Sequence, residues 1–145
     1  LLEPDFRTLA EAGLDVDVEE YLRGEAERIV LGLEFAALHR DYDLLLTPTQ
    51  PTLPPTVETR YHSPEFDRWR YAVPFTVPFN LTGQPAATIP CGVSNSGLPI
   101  GLQIVGPRFA DHLVLRASRA YEAARATPLA EPTLRASVDG FMAEA

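Results

Sequence analysis

The chain has 145 residues, 46% of them apolar, and a formal net charge of −8 at pH 7. That length suits one domain, and that apolar content excludes wholesale disorder. With no apolar run near the roughly 18 residues of a membrane span, no basic-then-apolar leader and an acidic balance that repels phosphates, no membrane or nucleic-acid partner is expected, and a soluble cytoplasmic protein is.

In chain order, residues 4 to 12 read as a short helix, with Pro4 in its first turn. Gly13 suits the left-handed position beyond its end, where Leu14 would fold back onto Leu9. Asp17 is a good N-cap for a longer helix from Val18 to about Arg40, with Glu20 three residues on and Val16 placed to staple against Tyr21. Leu22, Ala26, Ile29, Leu33 and Ala37 recur at spacings of three or four and form its apolar stripe. Asp43 to Thr47 is a short apolar run stopped by Pro48, the pattern of a strand buried on both faces. Pro48 to Pro64 holds five prolines and reads as an extended loop, followed by a helical turn or two over Glu65 to Ala72.

Between Phe75 and Leu81, Pro78 fits the first turn of a short helix that Gly83 ends. Ala86 to Pro90 and Pro99 to Val105 read as strands joined by the turn residues Ser94-Asn95-Ser96-Gly97. Asp111 is the expected cap of a last helix with the stripe Leu113, Ala117, Ala120, Tyr121 and Ala124. The division is a domain over 1–127 and a weakly patterned tail over 128–145. Helices covering a mixed sheet give an α/β or α+β layer. Three strands make a thin sheet for edges this apolar, so the segment is expected to complete a larger sheet supplied by other chain. The opening at Leu1, with Met142 as the only Met, points the same way, to a missing front end.

No chemistry-bearing constellation emerges. Ser63, Ser94, Ser96, Ser118 and Ser137 lie outside any Gly-x-Ser-x-Gly elbow, and Ser94 and Ser96 are explained by the turn. His112 sits beside the last helix's start, and His39, Asp41 and Asp43 bound two elements, where charged groups are ordinarily solvated. Cys91, the lone cysteine, reads as a small buried hydrophobe. All 12 basic residues are Arg, so a phosphate loop with its Lys is excluded. No cofactor and no metal is implied.

Two stretches carry a resemblance. Tyr42 to Pro51, and Phe75 to Gly92 continuing through Leu98 to Phe109, resemble the C-terminal blocks of amidase-signature enzymes, in order over roughly residues 5 to 125. The resemblance implies that family's α/β fold and hydrolysis of linear carboxamides by a Ser–Ser–Lys triad. Its Lys must be a neutral amine to act as base, and Arg stays protonated in proteins. The family's Lys and serines lie in its N-terminal part; with no Lys here, the triad is absent and no catalytic residue is assigned. Thr47, Pro48, Phe75, Thr76 and Asn80 are implied to stand near the substrate, although turn and cap geometry explains Asn80 and Gly83 as well, and Gln103 reads as satisfying a buried hydrogen bond.

Glutamine-using members carry an Asp seven residues before the Asn of the NLxG motif. Val73 occupies that place and implies a neutral amide substrate. The implied partners are the N-terminal half of the same enzyme, a small amide and, through the open strands, further copies of the chain. The competing reading is a non-enzymatic remnant or interaction module pairing through its open sheet.

Overall fold

The computed structural model describes Arg7, residues 10–54 and residues 73–125. The expected first turns before residue 10 apart from Arg7, the end of the Pro-rich loop, the helical turns over 65–72 and the tail lie outside the described residues. Helix α1 is Val18–Leu38, β1 Leu45–Pro48, α2 Val77–Thr82, β2 Ala86–Val93, β3 Pro99–Val105 and α3 Asp111–Ala124.

The strands form one antiparallel sheet in the order β1-β3-β2. Thr47 faces Gln103, and Gln103 faces Thr88 on the other side. Ser94 to Gly97 closes the hairpin as its composition predicts, Gly97 at φ 81° and its N–H donating to Ser94 O at 2.9 Å. α3 covers one face of the sheet, where Val114, Ile89 and Ile104 form the buried cluster with Leu44, Leu102 and Tyr121 packed around it. α2 packs against α1, with the rings of Phe79 and Phe35 5.2 Å apart.

The cap expected at Asp17 is present: its Oδ1 accepts from the Glu20 N–H at 2.8 Å. Pro78 stands in the first turn of α2, and Gly83 ends it at φ 69°. Gly13 does not take the left-handed cap position. It opens a 3-10 turn over Gly13–Asp15 that Val16 closes by donating to Gly13 O, and Leu14 stays exposed. Asp111 is not the cap of α3 either. Ala110 holds that position, and Asp111 lies in the first turn, where its charge suits the helix dipole. The buried residue of α3 is Val114, while Ala120 and Ala124 of the predicted stripe are exposed.

The largest departure concerns α1. Of the predicted stripe Leu22, Ala26, Ile29, Leu33 and Ala37, the first four are exposed, Leu33 by 65%, and Ala37 is half-buried. The face turned to the rest of the chain holds Arg28, Gly32, Phe35 and His39. Arg28 Nη1 donates to Leu81 O at 3.3 Å, and a Cβ at Gly32 would lie 4.0 Å from Thr82 Cγ2. Arg28 and Gly32 each sit one position before a stripe residue, a rotation of about 100°, and Phe35 and His39 two positions from the nearest. Arg28 also binds Glu25 at 2.6 Å, and this hydrogen bond holds the Glu25 carboxyl below its ordinary range and the Arg28 guanidinium above its own.

β1 is likewise not buried on both faces. Leu46 is 63% exposed, because β1 has a strand neighbour on one side only. β2 runs on to Val93 through a bulge between Pro90 and Gly92. The bulge leaves Cys91 unpaired and turns it outward, so this thiol is exposed, contrary to the packing role expected of it.

Two close approaches permit only glycine. A Cβ at Gly101 would lie 2.8 Å from Thr49 Oγ1 and 2.9 Å from Thr88 Cγ2. A Cβ at Gly106 would lie 2.8 Å from Val114 Cγ2, inside the core cluster. Gly101→Ala and Gly106→Ala should each lower stability by about 1–3 kcal/mol, read from the urea midpoint; an unchanged midpoint would show that the packing gives way freely.

Candidate functional site

Two of the six predicted site residues, Thr47 and Phe75, are bonded to one buried side chain. Gln103, in the central strand, is 3% exposed. Its Nε2 donates to Thr47 Oγ1 at 2.9 Å and to Phe75 O at 2.7 Å. A backbone carbonyl can only accept, so the amide nitrogen must face Phe75, and its two hydrogens serve these two acceptors. Burying a carboxamide costs free energy unless such bonds are made. The expected structural role of Gln103 is therefore met, and the bond joins β1 to the segment leading into α2.

That segment is a tight turn. Val73 O accepts from the Thr76 N–H at 3.2 Å, the Val77 N–H at 3.3 Å and the Thr76 hydroxyl at 3.2 Å. Thr76 thus spends its hydroxyl on the turn and makes no side-chain cap to α2. Val73, Phe75 and Thr76 are half-buried. Pro48 ends β1 opposite Leu102, with its ring exposed.

Asn80 is placed differently. It lies within α2, its N–H donating to Thr76 O, so it serves neither turn nor cap. Its side chain is exposed and lines an open groove of about 370 Å³ with Phe79, Gly83, Gln84, Pro85, Phe109 and Asp111. Phe109 stands there at φ 66° and is 84% exposed, with the Arg108 guanidinium 5.1 Å from its ring centre.

A second polar network lies beside this groove, and nothing in the sequence points to it. Gln84 is buried, and its Nε2 reaches His39 Nε2 at 2.9 Å and Gly106 O at 3.4 Å, while its Oε1 accepts from the Thr82 hydroxyl at 2.9 Å. The amide nitrogen donates, so His39 Nε2 accepts and the imidazole proton sits on Nδ1, donating to Tyr42 O at 3.0 Å. Both ring nitrogens are committed to holding the end of α1 against α2 and β3. No sequence spacing signals this bond, since the two residues are 45 apart.

Among the described residues, the serine hydroxyls and the thiol have partners nearby in the chain. Ser94 Oγ binds Ser96 Oγ and the Leu98 N–H inside the turn. Ser118 Oγ donates back to Val114 O, and Cys91 Sγ lies 3.4 Å from Ile100 O. Among the described residues, no serine or cysteine is bonded to a histidine or a carboxylate, as an activated nucleophile would be. The arrangement offers apolar walls and fixed backbone groups, the means of orienting a substrate.

A family model described as Amidase matches residues 7–115. The chain belongs to the amidase family. It is 42% identical over 92 residues to a glutamyl-tRNA(Gln) amidotransferase polypeptide of Clostridium acetobutylicum, a match covering 63% of this chain and 19% of that protein. A crystal structure of an amidase superposes with a TM-score of 0.74 at 33% identity, over 84% of this chain and 29% of that one. The crystal structure of a glutamyl-tRNA(Gln) amidotransferase polypeptide from Thermotoga maritima gives 0.67 at 33% identity, over 88% of this chain and 28% of the other. The α/β amidase-signature fold implied by the sequence motifs is thereby shown. The chain spans about a fifth of the length of the curated relatives it matches. Among the described residues, no helix is long and apolar enough to cross a membrane.

The Gln103 fork is open to direct test. Gln103→Leu leaves Thr47 Oγ1 and Phe75 O without their donor and should cost about 1–3 kcal/mol, with amide exchange rising over residues 73–77. A loss confined to stability, with exchange over 73–77 unchanged, would show that the fork does not hold that turn.

Proposed function

We propose that this chain is the C-terminal portion of an amidase that hydrolyses linear carboxamides, and that it builds one wall of the substrate pocket and completes the sheet. The carrying observation is the Gln103 fork, which binds Thr47 of β1 and the Phe75 carbonyl into one rigid surface. Val73, Phe75 and Thr76 line that surface, with Pro48 at its rim and Asn80 a turn further along α2. In this reading the chain positions the acyl part of the substrate and contributes no nucleophile, because a hydroxyl needs a neutral amine or another base beside it. The absence of Lys from the whole sequence supports that division. So does the uncovered stripe of α1, a surface that an adjoining part of the enzyme would bury. The exposed free thiol of Cys91 suits a reducing, cytoplasmic setting.

The substrate is a neutral amide. Val73 places a half-buried apolar group where the resemblance implies an Asp in members that use glutamine, so the ammonium of an amino-acid amide would find no counter-charge.

The pure chain should not turn over benzamide or acetamide. Activity should appear on adding a complementary piece, namely the solved amidase of 33% identity without the segment this chain matches. Turnover by the chain alone, lost on changing one of its own serines, would overturn the proposal. In the active complex, Val73→Asp should move the ratio of kcat/KM for glutamine over benzamide upward by about ten-fold or more; an unmoved ratio would place residue 73 away from the substrate. Without its partner, the chain should self-associate through its uncovered apolar surface, and a clean monomer by light scattering at micromolar concentration would count against that.

A further inference from the structure

The network around Gln84 has more short contacts than protons to fill them. Thr82 Oγ1 lies 2.9 Å from Pro78 O and 2.9 Å from Gln84 Oε1, and both of these oxygens can only accept. A hydroxyl carries one proton, so with the Gln84 nitrogen turned to His39 one of the two contacts always lacks a hydrogen. Thr82 and Gln84 are both buried, where an unmade bond is costly. The second hydrogen of the Gln84 nitrogen serves Gly106 O across a long 3.4 Å.

Protonating His39 at Nε2 removes this shortage. An imidazolium donates at both nitrogens, and Nδ1 keeps its bond to Tyr42 O in either state. Nε2–H would then meet a donor 2.9 Å away, a clash that a half-turn of the Gln84 carboxamide corrects. After the turn Gln84 Oε1 accepts from His39, its Nε2 donates to Thr82 Oγ1, and the Thr82 proton is left for Pro78 O. Each of these 2.9 Å contacts becomes a donor–acceptor pair. Gly106 O alone loses, since it faces an oxygen in place of its donor.

We infer that His39 and Gln84 form a proton-driven latch, which releases the Gly106 carbonyl when the imidazole gains its charge. Gly106 joins β3 to residues 107–110, and Phe109 there stands at φ 66° beside the groove that Asn80 lines. A bulky residue keeps that backbone conformation only while its surroundings hold it, so freeing Gly106 O loosens the groove's wall. Imidazole changes charge between about pH 5 and 8 more readily than any other side chain. Few other charges face the latch. β1, α2, β2 and β3 contain no charged residue. The face of α1 toward α2 carries Arg28, paired with Glu25. Arg40, Asp41, Tyr42 and Asp43, which follow His39, are exposed, as are Arg108, Asp111 and His112 beyond β3. Arg108 stands against Gly83, where a Cβ would lie 3.7 Å from its Nε.

Hydrogen exchange of the full chain at pH 8 and pH 5, expressed as protection factors, reads the latch. Over residues 106–110 protection should fall by about two- to ten-fold at pH 5, while the Gly83 and Gln84 amides, both bonded to Phe79 O, hold theirs. The fall should persist in His112→Gln and vanish in His39→Gln, whose side chain stays neutral and still offers Gln84 an acceptor. Gln84→Met, which leaves His39 free to titrate but removes the carboxamide, should abolish it as well. Nitrogen shifts of labelled imidazole should show His39 as the Nδ1–H tautomer at pH 8, a readout that needs no variant to fold. The Nε2–H tautomer at pH 8, protection over 106–110 that ignores pH, or a fall that survives His39→Gln would each overturn the latch. So would a loss at pH 5 spread evenly over the whole chain, which marks general acid unfolding.

Discussion

The side-chain amide of Gln103 is the interaction on which the candidate site depends. It is buried between β1 and the turn over 73–77, and its two N–H groups reach Thr47 Oγ1 and Phe75 O. The stretch of sequence joining those segments is rich in proline, a residue with no backbone N–H to donate. Among the described residues, the fork is the side-chain hydrogen bonding that holds Phe75 against Thr47. With it, residues 28 and 56 positions from Gln103 become one surface, because leaving a buried amide unpaired costs more than the order imposed. Gln84 does the equivalent for α1, α2 and the end of β3.

These forks sit beside apolar surface that the chain itself leaves uncovered. Only five apolar side chains are buried among the described residues: Phe79, Ile89, Ile104, Val105 and Val114. Each contributes roughly 1.5–3 kcal/mol, a thin core for a chain so rich in apolar residues. The predicted stripe of α1 and the outer side of β1 remain open. Membership of the amidase family, with a match to about a fifth of its relatives' length, gives both surfaces an explanation. Under the proposed function the physics of the site and of the open surface agree: fixed walls are present, and the sequence holds no Lys to serve as base.

What the sequence discloses follows the range of each interaction. The start of α1 at Asp17, the end of α2 at Gly83 and the turn at Ser94 to Gly97 depend on bonds within four residues, and all three are readable. Periodicity finds the apolar stripe of α1 but says nothing of what the stripe faces. In this chain Arg28, Gly32 and Phe35 meet α2, and Leu22, Ala26, Ile29 and Leu33 of the stripe stay exposed. Asp111 fails as a cap because the backbone enters α3 one residue earlier, and Cys91 fails as a core residue because a bulge shifts it out of register. The grouping of Thr47, Phe75 and Thr76 rests on resemblance, and the bond between His39 and Gln84 has no local signature.

The central claim is that this chain orients an amide and leaves the bond-breaking to residues outside it. The most direct measurement is covalent labelling with a serine-directed fluorophosphonate, followed by mass mapping of the modified residue. The account predicts no label on the isolated chain, and in the active complex a label on the added piece alone. A label on any serine of this chain, blocked by an amide substrate, would contradict it.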